Sequence, residues 1–399
     1  MPRSRTLYNV QALFVAPFSG SFLSPYLNGY KILRPIKNLQ TIDYSINQDN
    51  ANIITFGNKS NVFVGASKPP EATLQFAYFA DGLTNERRLN FNAYSDFDPK
   101  SELLKNLAFS GLDLAAHKDK KDFYLIVNKS ENDIYRKDTD FNSSFLNPSS
   151  EASVIDQKSI DYAVLHFQNA YLKKYSFSIS SRSIGLVSQE YVADNIVYYN
   201  SGSGINYTIL NLKSGNNENQ QEKIIIPRSL RNLSGQDYLF GQRAKVSFSK
   251  SISNTVLFEA DLINSFNFTI DFSRNDSYSF NYRFPRSRNI KYPVYGKLDI
   301  SLNATGNLTG SFFDTLNKNI DYNVFVNFSP TSPINPQTSF LFSGCRFNNI
   351  SYDNSIGDAY KNVNLSFNFE QDFSNNSKGL FWSGNMEYGF LAQPQFILQ

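Results

Sequence analysis

Leu39-Gln40-Thr41-Ile42-Asp43-Tyr44-Ser45-Ile46-Asn47 carries the clearest structural signal in the chain. Ile42, Tyr44 and Ile46 alternate with Thr41, Asp43 and Ser45. Successive side chains of a strand point to opposite faces, so this is a half-buried strand and not a helix. It runs into the polar turn Asn47-Gln48-Asp49-Asn50, and Pro69-Pro70 precede a second such run over 73–79. The pattern returns in Tyr175, Phe177 and Ile179 set among Ser176, Ser178 and Ser180, and in Phe266, Phe268, Ile270 and Phe272. Leu298, Ile300 and Leu302 repeat it, as do Val363, Leu365, Phe367 and Phe369. Composition agrees: 36 Phe and 24 Tyr stand against one Trp, two Met and one Cys. Aromatic and β-branched residues suit pleated surfaces, and the abundant Asn and Ser suit turns. An AT-rich genome would enrich the same residues, but codon bias does not generate a period of two. The fold class is all-β.

An internal repeat organises the chain. Displaced by 224 positions (293 − 69), Leu39, Ile42, Tyr44 and Ile46 fall on Ile263, Phe266, Phe268 and Ile270. At the same ungapped offset Pro69 meets Pro293, Leu74 meets Leu298, Phe76 meets Ile300, Ala80 meets Ala304 and Gly82 meets Gly306. Strand period alone would align the apolar positions, but not Pro, Ala and Gly together. A looser echo pairs Ser183-Ile184-Gly185 with Ser355-Ile356-Gly357. The expectation is a duplicated β-domain. The first copy spans about 1–200 and the second 239–399, with 201–238, rich in Gly and Asn, as linker or loop. A polar insertion at about 113–158 belongs to the first copy only, with a possible strand at 123–127. One short helix is expected near 99–109, where Asp98-Pro99 offers a start and Leu103, Leu104 and Leu107 an apolar stripe.

Chemistry is hard to find in the sequence. A net charge of +3 is too small to imply a nucleic-acid surface. One cysteine, Cys345, excludes an internal disulfide and reads as a buried small hydrophobe. Two histidines, His117 and His166, cannot make a His-rich metal site. No HExxH, CxxC or G-x-S-x-G occurs, and Gly202-Ser203-Gly204 lacks the Lys-Ser/Thr of a phosphate loop. Asp43 with Asp49, and Asp271 with Asp276, read as solvated carboxylates. The basic cluster Arg283, Arg286, Arg288 and Lys291 is either a contact with another subunit or nucleic acid, or a solvated turn. No catalytic, cofactor-binding or metal residue is assigned, no cofactor is expected, and the chain is read as non-enzymatic. The opening residues 1–9 have no apolar signal core, and no stretch is long and apolar enough to span a membrane. A protein made and used without secretion or membrane insertion is expected, and sequons such as Asn206-Tyr207-Thr208 are taken as by-products of an Asn-rich chain.

Several stretches resemble the major tail-tube proteins of tailed bacteriophages. They are Leu7-Tyr8-Asn9-Val10-Gln11, residues 39–47 followed by Phe56-Gly57 and Pro69-Pro70, and the strand ending in Tyr78. Residues 171–179 leading into Ser183-Ile184-Gly185 are similar to the long hairpin strands that line the tube, and 268–274 with Tyr292-Pro293-Val294 fit the same template. The resemblance touches roughly half of the chain, in both copies. It implies two tandem β-sandwich or barrel domains in a virion protein, made in the bacterial cytoplasm, whose rings stack into a channel. Its partners would be further copies of itself, the tape-measure protein, possibly sheath or baseplate proteins, and genomic DNA in non-specific transit. With two tube-like copies per chain, a homotrimer of pseudo-sixfold symmetry is favoured over a homohexamer. Other readings are a hub, terminator or decoration protein of the tail, and a carbohydrate-binding adhesin module.

Overall fold

In the computed structural model the described residues are 11–16, 26–27, 30–47, 50–53, 63–66, 71–89, 91, 120–128, 162–201, 209–214, 217–225, 238–250, 256–260, 263–278, 285, 287–304, 316, 319–329, 338–353, 361–371 and 378–383. The first half holds β1 (Gln11–Val15), β2 (Tyr26–Leu27), β3 (Tyr30–Ile32), β4 (Arg34–Pro35), β5 (Leu39–Asn47), β6 (Asn50–Ile53), β7 (Phe63–Ala66) and β8 (Glu71–Phe79). The helix α1 (Thr84–Arg88) follows, then β9 (Lys121–Asn128), β10 (Tyr162–Ser180), β11 (Leu186–Ala193) and β12 (Asn195–Ser201). Next come β13 (Ile209–Ser214) and β14 (Asn217–Ile225). The second half holds β15 (Ala244–Lys250), β16 (Val256–Ala260), β17 (Ile263–Asp271), β18 (Arg274–Ser277), β19 (Ser287–Ile290), β20 (Val294–Ala304), β21 (Asp321–Phe328), β22 (Thr338–Asp353), β23 (Lys361–Gln371) and β24 (Gly379–Ser383).

Each half is a two-layered antiparallel sandwich with the same strand order. In the first, one layer runs β5-β8-β11-β10 and the other β4-β1-β9-β10-β12. In the second, β17-β20-β23-β22 faces β16-β15-β21-β22-β24. Inward aromatic residues fill the space between layers: Phe123 meets Phe76 at 5.6 Å and Tyr191 at 4.7 Å. In the second half Phe367 meets Phe248 at 5.9 Å and Tyr322 at 6.4 Å. The alternation read in the sequence is what makes this possible, since one face of each long sandwich strand is apolar.

The duplication reaches the finest backbone detail. The β5–β8 register shift between Leu39 and Thr41 recurs in β17–β20 between Ile263 and Ser265, at the offset 263 − 39 = 224. The hairpins β6–β7 and β18–β19 begin at Asn50 and Arg274, again 224 apart (274 − 50). The long strands β10 and β22 each serve both layers, so each must kink. Asn169 (φ 50°) and Gly344 (φ 72°) take the left-handed conformation there, which asparagine and glycine tolerate. The Asn169 N–H donates to Asp122 Oδ1 at 2.9 Å, and the Gly344 N–H donates to Asn323 Oδ1 at 3.3 Å. The kinks fix the offset of these strands at 344 − 169 = 175. The sequence echo at Ser183 and Ser355 implies 355 − 183 = 172 instead, and residues 355–357 lie outside the described residues. Apolar periodicity has no memory of loop length, which is why that echo slips.

Two other expectations are corrected by the structure, and a third lies outside the described residues. The helix expected near 99–109 falls outside the described residues; the helix that is described is α1, where Asn85 caps the Lys37 backbone with two hydrogen bonds of 2.9 Å. The polar insertion expected at 113–158 contains β9, whose Phe123, Tyr124, Leu125 and Ile126 are core. That strand has a counterpart in β21, so the segment is not foreign to the repeat. The stretch 201–238, expected as linker or loop, carries the β13–β14 hairpin, which extends the β12 edge and pairs in parallel with β3. Its alternation is too polar to be legible as strand. A single apolar cluster runs through both halves.

Candidate assembly surface

The two sandwiches are joined strand to strand. β10, last of the layer β5-β8-β11-β10, pairs along Lys174–Ser180 with β17, first of the layer β17-β20-β23-β22. Eight strands therefore form one continuous sheet. At the seam Tyr175 lies opposite Ile270 and Phe177 opposite Phe268, with the Phe177 and Phe268 rings stacked at 5.7 Å and 19°. All four side chains are buried, and burying an aromatic or branched side chain of this size is worth about 1.5–3 kcal/mol. The seam is thus a core and not a hinge.

The opposite face of this sheet is predominantly polar. β5 presents Thr41, Asp43, Ser45 and Asn47; β10 presents Lys174, Ser176 and Ser178; β17 presents Asn267, Thr269 and Asp271. Lys297, Asp299, Asn364, Ser366, Asn368 and Glu370 continue it across β20 and β23. The charge balance is acidic, with Asp43, Glu71, Glu190, Asp271, Asp299 and Glu370 against Lys174, Lys297 and Lys173. Two of those lysines are occupied, Lys173 with Glu190 at 2.7 Å and Lys297 with Asp299 at 2.8 Å. Apolar side chains on this face include Phe79, Leu186 and Val192 toward the ends of β8 and β11, and Tyr295 on β20.

The sheet has two ends. Among the described residues β5 pairs only with β8, and the outer half of β22, from Phe347 to Asp353, pairs only with β23. Apolar side chains stand exposed at both: Tyr44 at 51% and Ile46 at 59% on β5, and Tyr352 at 52% on β22. Their counterparts inside the seam, Phe268, Ile270 and Phe177, are at most 1% exposed.

No family profile and no curated sequence matches the chain. Similar solved structures include the SPP1 tail tube, with a TM-score of 0.26 and 10% identity over 40% of this chain and 86% of that one. Another is the baseplate of the anti-feeding prophage in its 6-fold symmetrised form, with a TM-score of 0.23 and 14% identity over 36% and 93%. Scores this low add nothing to the argument from geometry.

The residues singled out in the sequence are scattered, not gathered into a site. Cys345 is buried beside the β22 kink, and burial pushes its thiol far above the ordinary range. His166 is buried in the first sandwich, stacked on Tyr124 at 4.2 Å with Asp122 3.7 Å away. His117, Asp49, Gly202, Ser203, Gly204, Arg283 and Arg286 lie outside the described residues. Asp43 and Asp271 lie on the polar face, far apart along the sheet. Lys291 is exposed. Arg288 is neither a solvated turn residue nor a surface contact. It is buried on the β18–β19 hairpin and reaches across to the first sandwich, bonding Asp194 at 3.2 Å and Asp276 at 3.3 Å. Beside it Arg274 donates to the Leu172 carbonyl at 3.0 Å and lies 5.1 Å over the Tyr171 ring. The seam is therefore locked by cations as well as by core.

Sequence reading missed one polar cluster. Glu86 on α1 is fully buried and accepts hydrogen bonds from the hydroxyls of Tyr78 at 2.6 Å and Tyr175 at 2.8 Å. Gln189 donates to the Tyr78 hydroxyl at 2.8 Å and accepts from Tyr191 at 2.7 Å. At the repeat offsets the second sandwich has Leu302, Ile350, Leu365 and Phe367 for Tyr78, Tyr175, Gln189 and Tyr191. The apolar replacements show the cluster to be packing peculiar to the first half. Among the described residues no three His, Cys, Asp or Glu side chains gather as a metal site.

Proposed function

We propose that the chain is a non-catalytic, ring-building subunit of a bacteriophage tail, and specifically the major tail-tube protein. The observation that carries this reading is the β10–β17 seam. It joins the last strand of one unit to the first strand of an equivalent unit, so the chain already contains one ring interface. A head-to-tail contact of this kind, repeated, generates a closed ring if the rotation closes. Two units per chain make three chains sufficient for six units, and the sheet's polar face would then line the channel. Its Ser, Thr and Asn side chains with an acidic excess offer no phosphate-binding patch, which suits DNA that must slide through. The resemblance of residues 39–47 and 171–179 to tube strands supports the same reading. Partners are further copies of the chain, the tape-measure protein and DNA in transit, in a virion assembled from subunits made in the host cytoplasm.

The test is negative-stain microscopy of the purified full-length chain together with mass measurement of isolated rings. Stacked rings of three chains are expected. Six chains per ring would overturn the trimer, and a chain that stays monomeric at high concentration in virion-like salt would overturn the tube subunit altogether.

A further inference from the structure

The internal seam also specifies how two chains meet. We propose that the outer half of β22 adds as an antiparallel strand to β5 of a second copy of this chain. The register sets Tyr352 opposite Tyr44 and Ile350 opposite Ile46. The proposal rests on the ring-building reading only in taking the partner to be a second copy; the register comes from the seam itself.

β10 maps onto β22 at an offset of 175, set by the Asn169 and Gly344 kinks. A second landmark agrees: the register shift between Leu172 and Lys174 against β11 recurs between Phe347 and Asn349 against β23, again 347 − 172 = 175. β17 maps onto β5 at 224. Applied to the seam, Tyr175 opposite Ile270 becomes Ile350 opposite Ile46, and Phe177 opposite Phe268 becomes Tyr352 opposite Tyr44. Aromatic faces aromatic and aliphatic faces apolar, on the face that is core inside the chain.

Exposure points the same way. Tyr44, Ile46 and Tyr352 are about half exposed where their counterparts are buried, so an apolar face is only half covered at each end of one sheet. Each is the complement of the other in strand direction, face and side-chain size. An edge left without a partner strand among the described residues, with an apolar face, is a template for strand addition, and here the fitting strand is in the same sequence. The contact between chains nevertheless differs from the seam in one respect. At the positions of Arg274 and Arg288 the first half has Asn50 and Val64 (274 − 224 and 288 − 224), so the cations that lock the seam have no counterpart. Backbone hydrogen bonds and apolar contact hold the joint between chains, and added salt should not dissolve it.

Full-length chains carrying the pairs Tyr44→Cys with Tyr352→Cys, or Ile46→Cys with Ile350→Cys, test the register by oxidation and non-reducing electrophoresis. Native Cys345 is buried and serves as background. Reducible covalent oligomers are expected from at least one pair, with unchanged yield in high salt. Tyr44→Cys with Ser351→Cys, which places the second thiol on the opposite face, should give no more than background. Assembled rings in which neither pair cross-links would overturn the register and leave the tube reading standing. Cross-linked closed rings that never stack would uphold the register and overturn the tube. A wild-type chain that does not self-associate would overturn the proposal.

Discussion

Glu86 is a carboxyl placed where water cannot reach it, held by two tyrosine hydroxyls beneath the sheet of the first sandwich. Burial raises its pKa, and the Tyr78 and Tyr175 hydrogen bonds pull against that rise without cancelling it. The folded value therefore lies above that of the unfolded chain, about 4.3. The stability it contributes is fully present below the unfolded value and is lost as pH rises through the folded one. Glu86→Gln should flatten this dependence, seen as urea midpoints that change less than wild type between about pH 4 and about pH 7. Glu86→Ala leaves both hydroxyls without their acceptor and should cost roughly 2–4 kcal/mol by the same measurement. The neighbouring hydroxyls shift in the same direction, with burial first and the Glu86 charge second raising the pKa of Tyr78 and Tyr175 and keeping them protonated.

At the scale of elements, the seam combines two kinds of contact whose energies differ. The β10–β17 ladder with Phe177 on Phe268 is apolar and self-sufficient. The β18–β19 hairpin adds Arg288, whose side chain is 8% exposed, against Asp194 at 7%. Burial raises the Asp194 pKa and the Arg288 charge lowers it, with burial the larger cause. Such a pair is costly to halve, because the remaining charge has nowhere to be solvated. Arg288→Ala should destabilise the chain by roughly 3–5 kcal/mol in chemical denaturation. The double variant Arg288→Leu with Asp194→Leu should recover much of that loss. If the single variant were neutral, the hairpin would not be anchoring the two halves.

For the whole molecule, the shared apolar cluster predicts cooperative behaviour despite the duplication. Two sandwiches joined by a flexible tether would melt separately, whereas a sheet that runs through both makes each half expose core when the other unfolds. One calorimetric transition is expected for the full chain. A fragment of residues 239–399 would present Phe266, Phe268 and Ile270 at a bare β17 edge, and should aggregate or pair with itself. Two independent transitions, together with a well-behaved monomeric fragment, would show that the seam contributes little. The same continuity supports the proposed ring, because the joint within the chain is itself a packed core.

Three properties are legible in the chain before it folds: the strand class, the alternating inward and outward residues of the long strands, and the ungapped repeat that maps β5 through β8 onto β17 through β20. Those properties are local: alternation is written in neighbouring residues, and an ungapped offset needs no knowledge of what lies beside what. The fold alone set β10 as the strand on which the two halves join, brought the possible strand at 123–127 into the core as β9, and carried Arg288 to Asp194. It also decided that Glu86, in a run reading Thr84-Asn85-Glu86-Arg87-Arg88, points into a core. The reason is that a strand's period specifies two faces and leaves two edges unspecified. Edge partners are chosen by hydrogen bonds between segments far apart in the chain, and a buried charge is stable only through partners that the fold brings to it.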